Sequence, residues 1–237
     1  MQTVIELLQT LGVFLAGAFA RLGIFFVMLA VLVLPTLAIA LVLRGVGARR
    51  ERLLGLRRVA GILFRPDAFY APGHVWLRER GGSKLAGALE LGVDDLAQRL
   101  LPSVTAVELP RAGTAIEKGD TVAVLHGGGR AVRIAAPVAG TIAGVNASVL
   151  RDPALVKREG YGRGWLVAIA PTDRSYEALP HGPGAEGWLS REASRWSRFL
   201  EDRLGFAAAD GGELVAPAPW LVGEENWKAL TAEFLEA

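Results

Sequence analysis

Between Leu22 and Leu43 the chain runs LGIFFVMLAVLVLPTLAIALVL, 22 residues without a charged side chain. As a helix rising about 1.5 Å per residue, the run covers roughly 33 Å, the thickness of a bilayer core. It predicts a transmembrane helix with a kink at Pro35, whose freed carbonyl a membrane can accommodate. Upstream the pattern weakens. Gln2, Glu6 and Gln9 share one helical face, while Val4, Ile5, Leu8, Leu11 and Leu15 fall elsewhere. Residues 1–21 therefore read as an interfacial or partner-packed amphipathic helix, or as a short second span.

Residues 44–69 read as a basic juxtamembrane linker, with an apolar connector from Val59 and a turn at Pro66 and Asp67. Beyond it the period changes from helix to strand. Runs rich in Val and Ile recur between Gly and Pro signals at Ala106–Leu109, Thr121–Leu125, Val132–Ala135, Thr141–Val145 and Trp165–Ala170. Val93–Leu101 is helical in pattern, and Asp94 and Asp95 read as its solvated first turn. After a linker at Leu179–Gly184, Trp188, Leu189, Ala193, Trp196, Phe199, Leu200 and Leu204 recur at helical spacing, with Gly205 as C-cap. A break at Ala216–Pro219 precedes a second helix, roughly Glu224–Leu235, with Trp227, Leu230, Phe234 and Leu235 on one face.

The hydrophobic fraction is 51%, high for a wholly soluble chain. There is no cysteine, which excludes disulfides, thiol catalysis and Cys-based metal centres. The formal net charge is only +2, yet Arg44, Arg49, Arg50, Arg52, Arg57 and Arg58 follow the apolar run, while Arg21 alone flanks its other end. That asymmetry reads as topology rather than nucleic-acid binding: a bacterial-type inner membrane protein crossing once, N-terminus outside, main domain cytoplasmic. Arg44, Arg49, Arg50 and Arg52 are the candidate contacts to lipid headgroups. A cleaved signal peptide would need a basic n-region, and residues 1–20 hold no Lys or Arg.

Four segments, in order, carry a family resemblance: YAPGHVWLR (Tyr70–Arg78), GVDDLAQRLLPSVTAVELPRAGTAIEKGD (Gly92–Asp120), AAPVAGTIAGVNASVLRDPALV (Ala135–Val156) and YGRGWLVAIAP (Tyr161–Pro171). Over residues 70–173 the chain resembles the glycine-cleavage H proteins, which carry a lipoyl group on a lysine. The resemblance implies an α+β chain whose main domain is a mainly-β barrel-sandwich hybrid, set between an N-terminal transmembrane helix and a helical extension over residues 174–237. Trp76 and Trp165 then read as core residues, and His74 as a polar structural position.

In that family the lipoyl-lysine lies at a hairpin tip eight residues before the proline of an APVSG-like element. Counting back from Pro137 reaches Gly129, flanked by His126, Gly127, Gly128 and Arg130. A guanidinium is no acyl acceptor. The four lysines, Lys84, Lys118, Lys157 and Lys228, lie off this hairpin. No cofactor is therefore expected at the family position. The HGGG run resembles an esterase oxyanion signature, but no G-x-S-x-G nucleophile elbow accompanies it. An anion nest is the other reading, and a plain glycine turn the simplest. His74, His126 and His181 show no metal-ligand spacing, and no catalytic residue is expected.

The functional expectation is a non-catalytic, membrane-anchored scaffold subunit of a larger complex, of an electron-transfer kind by architectural analogy. Its partners would be the lipid bilayer and integral or peripheral protein subunits. Trp188, Trp196, Phe199 and Trp227 are the candidate interface residues, although packing on their own domain is preferred for them. The alternatives are an acyl carrier modified at another lysine and a transient assembly factor.

Overall fold

A computed structural model of the chain describes residues 2–79, 87–205 and 222–236. It forms two compact units, residues 1–52 and 53–237.

The first is occupied by a single helix, α1 (Gln2–Leu53), unbroken at Arg21 and at Pro35. The separate helix expected over residues 1–21 and the first part of the expected linker are thus one element with the apolar run. Near the proline, the Thr36 hydroxyl donates to Leu32 O and Val33 O at 3.1 and 2.8 Å, adding a donor where the ring nitrogen has none. At 52 residues the helix is about 78 Å long. Every described side chain from residue 2 to residue 46 is exposed, a largely apolar surface. By length and composition α1 is able to cross a membrane.

In the second unit, β1 (Arg57–Val59) and β2 (Ile62–Phe64) form a hairpin where a connector was expected. The turn puts Ala60 and Gly61 at φ of 45° and 79°, the positive pair that a two-residue hairpin loop requires. The strands β3 (Phe69–Ala71), β4 (Val75–Glu79), β5 (Leu89–Val93), β7 (Ala115–Ile116), β10 (Gly140–Val145) and β11 (Val167–Pro171) build one antiparallel sheet in the order β3-β4-β5-β11-β10-β7. The strands β6 (Ala106–Glu108), β8 (Thr121–Gly127) and β9 (Arg130–Ala135) build a second, in the order β6-β8-β9. All five strand segments expected from the Val/Ile runs fall on these elements.

Short helices α2 (Asp95–Leu100), α3 (Ala147–Arg151) and α4 (Leu155–Arg158) join the strands, and α5 (Gly182–Leu204) and α6 (Glu224–Phe234) follow them. Gly205 closes α5 at φ 65°, as its C-cap position requires. However, α5 starts inside the expected linker: Pro183 occupies its first turn, where a missing N–H costs no bond. The expected break at Ala216–Pro219 lies outside the described residues.

The main core lies between the sheets, with Leu91, Val122, Leu125, Ile134, Ile142 and Ile169 at 2% exposure or less. Trp196, Phe199, Trp227 and Phe234 from the two long helices belong to the same cluster. A smaller cluster joins the β1–β2 hairpin to Tyr70, Trp76, Tyr161 and α5, with Trp165 half-buried beside it. In it, Trp76 lies flat against Gly92: a Cβ at that glycine would sit 2.5 Å from Trp76 Cζ2. The indole N–H donates to Val93 O at 3.1 Å, which satisfies its one polar atom in the core.

Asp94 and Asp95 are not a solvated turn. Asp94 is fully buried as N-cap of α2, its Oδ1 accepting the Ala97 N–H at 2.9 Å. Asp95 accepts the Leu63 N–H at 2.8 Å and pairs with Arg99 at 2.7 Å, fastening the β1–β2 hairpin to α2.

Candidate functional site

The segment from His126 to Arg130 closes the β8–β9 hairpin. Gly127 pairs with Arg130 across it, and Gly128 and Gly129 form the tip at φ of 59° and 74°. Two positive φ values in succession explain why glycine stands at both positions. Because the next residues continue as β9, the run is a hairpin turn with no helix end behind it. The three glycines are not equivalent. A Cβ at Gly127 would lie 1.9 Å from Ser103 O, and one at Gly128 would lie 3.3 Å from Pro102 Cβ, so the chain after α2 packs directly on the hairpin. A Cβ at Gly129 would meet nothing within 4 Å. The position at which the family's lysine is expected thus faces open space and carries no side chain.

The flanking residues are engaged. His126 Nε2 lies 2.7 Å from Glu108 Oε1 across the sheet, and its carbonyl accepts the Thr105 N–H at 2.7 Å. Arg130 Nη2 donates to Val222 O at 2.7 Å, and its guanidinium lies 4.4 Å from the centroid of Trp227. The root of the tip is therefore fastened to the C-terminal helix α6, a contact that local sequence around HGGGR does not reveal. Lys157 donates to Leu101 O at 2.5 Å, and partial burial pushes its ammonium pKa down. Lys228 pairs with Glu224 on α6 at 3.8 Å, Lys118 is exposed in the turn before β8, and Lys84 lies outside the described residues.

A second cluster surrounds His74, which sits in the loop between β3 and β4 at φ 54° and is 1% exposed. Its Nδ1 lies 2.8 Å from Asp94 Oδ2, and its Nε2 lies 3.4 Å from Glu192 Oε2 on α5. Glu192 also pairs with Arg195 at 3.0 Å. Burial alone would lower the imidazole pKa, but the charge and hydrogen bond of Asp94, with the hydrogen bond of Glu192, outweigh it and raise it to about 9. Burial opposes ionisation of Glu192 too, yet the His74 hydrogen bond and the adjacent cations hold its pKa below the usual range. A cavity of about 90 Å³ lies here, lined by His74, Trp188, Glu192, Arg195 and Phe234 among others. Paired in this way, the cluster is a buried charge network that ties α5 to the β domain. Among the described residues, no group of three His, Asp or Glu could hold a metal ion.

The four aromatic interface candidates point inward. Trp196, Phe199 and Trp227 are 0%, 6% and 5% exposed, and Trp188 is half-buried with its ring 5.3 Å from that of His74. The domain needs these residues to complete its own core, which removes them as an open docking face. Of the six arginines after the apolar run, Arg57 and Arg58 belong to β1; Arg57 pairs with Glu186 at 3.6 Å, and Arg58 donates to Gly61 O at 3.4 Å. Arg44, Arg49 and Arg52 are exposed on α1, and the Arg50 side chain lies outside the described residues.

Two small antiparallel sheets around one core, with a hairpin whose tip stands clear of it, define a lipoyl-carrier-like domain. A family model described as Glycine cleavage H-protein matches residues 68–188, just over half of the chain. The chain belongs to the glycine cleavage H-protein family, a family of lipoyl carriers. The H protein of Thermus thermophilus is 40% identical over 107 residues, 45% of this chain and 80% of that protein. The H protein of Pseudoalteromonas atlantica is 35% identical over 127 residues, 53% of this chain and 95% of that protein. A crystal structure of an H protein from Mycobacterium marinum aligns with a TM-score of 0.42 at 26% identity, covering 46% of this chain and 87% of that one. The helix α1, the β1–β2 hairpin and α6 all lie outside the family match.

Proposed function

We propose that this chain is a non-catalytic, membrane-anchored accessory subunit of an inner-membrane complex, in which an H-type domain serves as a fixed docking module instead of a lipoyl carrier. The observation that carries this reading is the hairpin tip. Acyl attachment needs a primary amine, and the tip offers Gly128 and Gly129, flanked by an arginine held to Val222 O and Trp227. A long exposed apolar helix followed by exposed Arg44, Arg49 and Arg52 supports anchoring with the domain on the cytoplasmic side. An electron-transfer complex is the setting proposed, on architectural analogy alone.

Intact-mass measurement of the native protein tests the reading. The mass of the unmodified polypeptide is expected. A covalent dithiolane acyl group on any lysine would overturn the passive role and restore the carrier. Stoichiometric retention of partner chains after mild-detergent purification is expected of a permanent subunit; their loss would favour a transient assembly factor.

A further inference from the structure

A cavity of about 480 Å³, within the size range of small-molecule sites, lies at the end of β9 remote from the glycine tip. The strand runs from Arg130 to Ala135, so about 17 Å of extended chain separates the cavity from the position where the family's lysine is expected. Buried Ala71, Ala136 and Pro137 and half-buried Ala135 and Leu179 line it. These walls offer little to a polar ligand. Pro137 has no N–H, and the N–H groups of Gly119, Ala136 and Leu179 donate to Ala136 O, Asp120 O and Tyr176 O at 2.8, 2.7 and 3.0 Å.

A single lining residue, Lys118, carries a charge. It stands second in the turn that the Asp120 N–H closes on Glu117 O at 3.1 Å, with Gly119 third at φ 95°. Among the described residues its ammonium has neither a hydrogen-bond nor an ion-pair partner. Neither carboxylate of the turn, Glu117 or Asp120, lines the cavity. Arg133, exposed two residues before Ala135 on the same face of β9, adds to the positive field.

We infer that this cavity is a site for a small monocarboxylate with an aliphatic chain of roughly eight carbons, its carboxylate on Lys118 and its chain against Ala71, Ala135, Ala136 and Leu179. A neutral alcohol would leave the ammonium unanswered, and a short acid such as acetate would leave the apolar walls in water. The inference is independent of the docking role proposed above.

The test uses the full chain in phosphatidylcholine nanodiscs at neutral pH, with octanoate as the probe. Acetylation of each lysine by a water-soluble succinimidyl ester is followed by peptide mass spectrometry. Octanoate is expected to slow the reaction at Lys118 at least fivefold and to leave Lys228 unchanged. Each buried methylene strengthens binding about fourfold, so butanoate is expected to need more than ten times the concentration for the same protection. Octanol is expected to give none. Ala135→Leu, which fills the cavity and leaves Lys118 in place, is expected to abolish protection by octanoate. Acetate protecting as well as octanoate would mean simple ion pairing at the surface and overturn the inference. Equal slowing at Lys228, or no effect of octanoate at Lys118, would overturn it too. A reaction at Lys118 that is already slow before any probe is added would show the cavity closed by the chain itself, with the same result.

Discussion

Arg130 lies over the ring of Trp227, 4.4 Å from its centroid, and in the same pose donates to Val222 O at 2.7 Å. One side chain thus joins the β8–β9 hairpin to α6, ninety-odd residues away. A partly buried cation–π contact and a charged hydrogen bond each contribute on the order of 1–2 kcal/mol. Arg130→Ala is expected to lower stability by about 2 kcal/mol and to speed amide exchange across residues 224–234 while β4 and β5 stay protected. Unchanged exchange in α6 would show that the helix is held by its apolar face alone.

The three glycines of the tip differ in what a methyl group would meet. Gly129→Ala adds only the strain of a positive φ, about 1 kcal/mol. Gly127→Ala drives a Cβ into Ser103 O, and several kcal/mol are expected to be lost as β8 and the chain after α2 separate. Denaturant unfolding of the two full-length variants in detergent measures the contrast. Equal losses would place the tip differently from the geometry described.

The His74 network sets a pH dependence whose sign follows from its raised pKa. The protonated imidazole is stabilised in the folded state, so its contribution is complete below about 6.5 and is lost as pH rises through about 9. Thermal unfolding is therefore expected to fall in temperature between pH 7 and pH 10, with roughly 3 kcal/mol at stake. His74→Gln is expected to flatten that part of the profile. Glu192→Gln is expected to start the decline at lower pH. A profile identical to the parent's in the His74 variant would remove His74 as the cause.

Gly92→Ala is expected to cost more than 2 kcal/mol, because the new Cβ would come within 3 Å of three indole-ring atoms of Trp76. Trp76→Phe removes the outer part of that ring and also forfeits the bond to Val93 O. The double variant is expected to be less damaged than the sum of the single ones. Simple additivity would mean that the two residues do not press on each other.

Much of this fold is legible because the residues that form it act locally. Val and Ile at alternate positions mark β8 and β9, and Gly205 marks the end of α5 because few other residues tolerate a left-handed C-cap. The β1–β2 hairpin escapes such reading, since its turn uses Ala60 where Asn or Gly is the usual signal for positive φ. Asp94 reads as a surface carboxylate until His74 and the end of α2 are brought around it, a condition set by residues 20 positions apart. The continuity of α1 through Arg21 is hidden for the opposite reason: a single arginine looks like a boundary, yet it is a good helix former. At the candidate site, the family resemblance and a count back from Pro137 are enough to bring Gly129 to the position where the resemblance implies a lysine. The grip of α6 on Arg130 is not, since it depends on tertiary packing between segments far apart in the chain.

Because α6 supplies Trp227, Leu230 and Phe234 to a cluster that also holds Leu91, Val122 and Ile142, the interior is closed by a helix made after every strand around it. During synthesis every strand of the domain exists before residues 224–234 do, so the partly formed β-sandwich has an aromatic-sized gap in it until α6 docks. A nascent chain that reaches only residue 205 thus holds both sheets but is not yet able to seal its interior from chaperones and proteases.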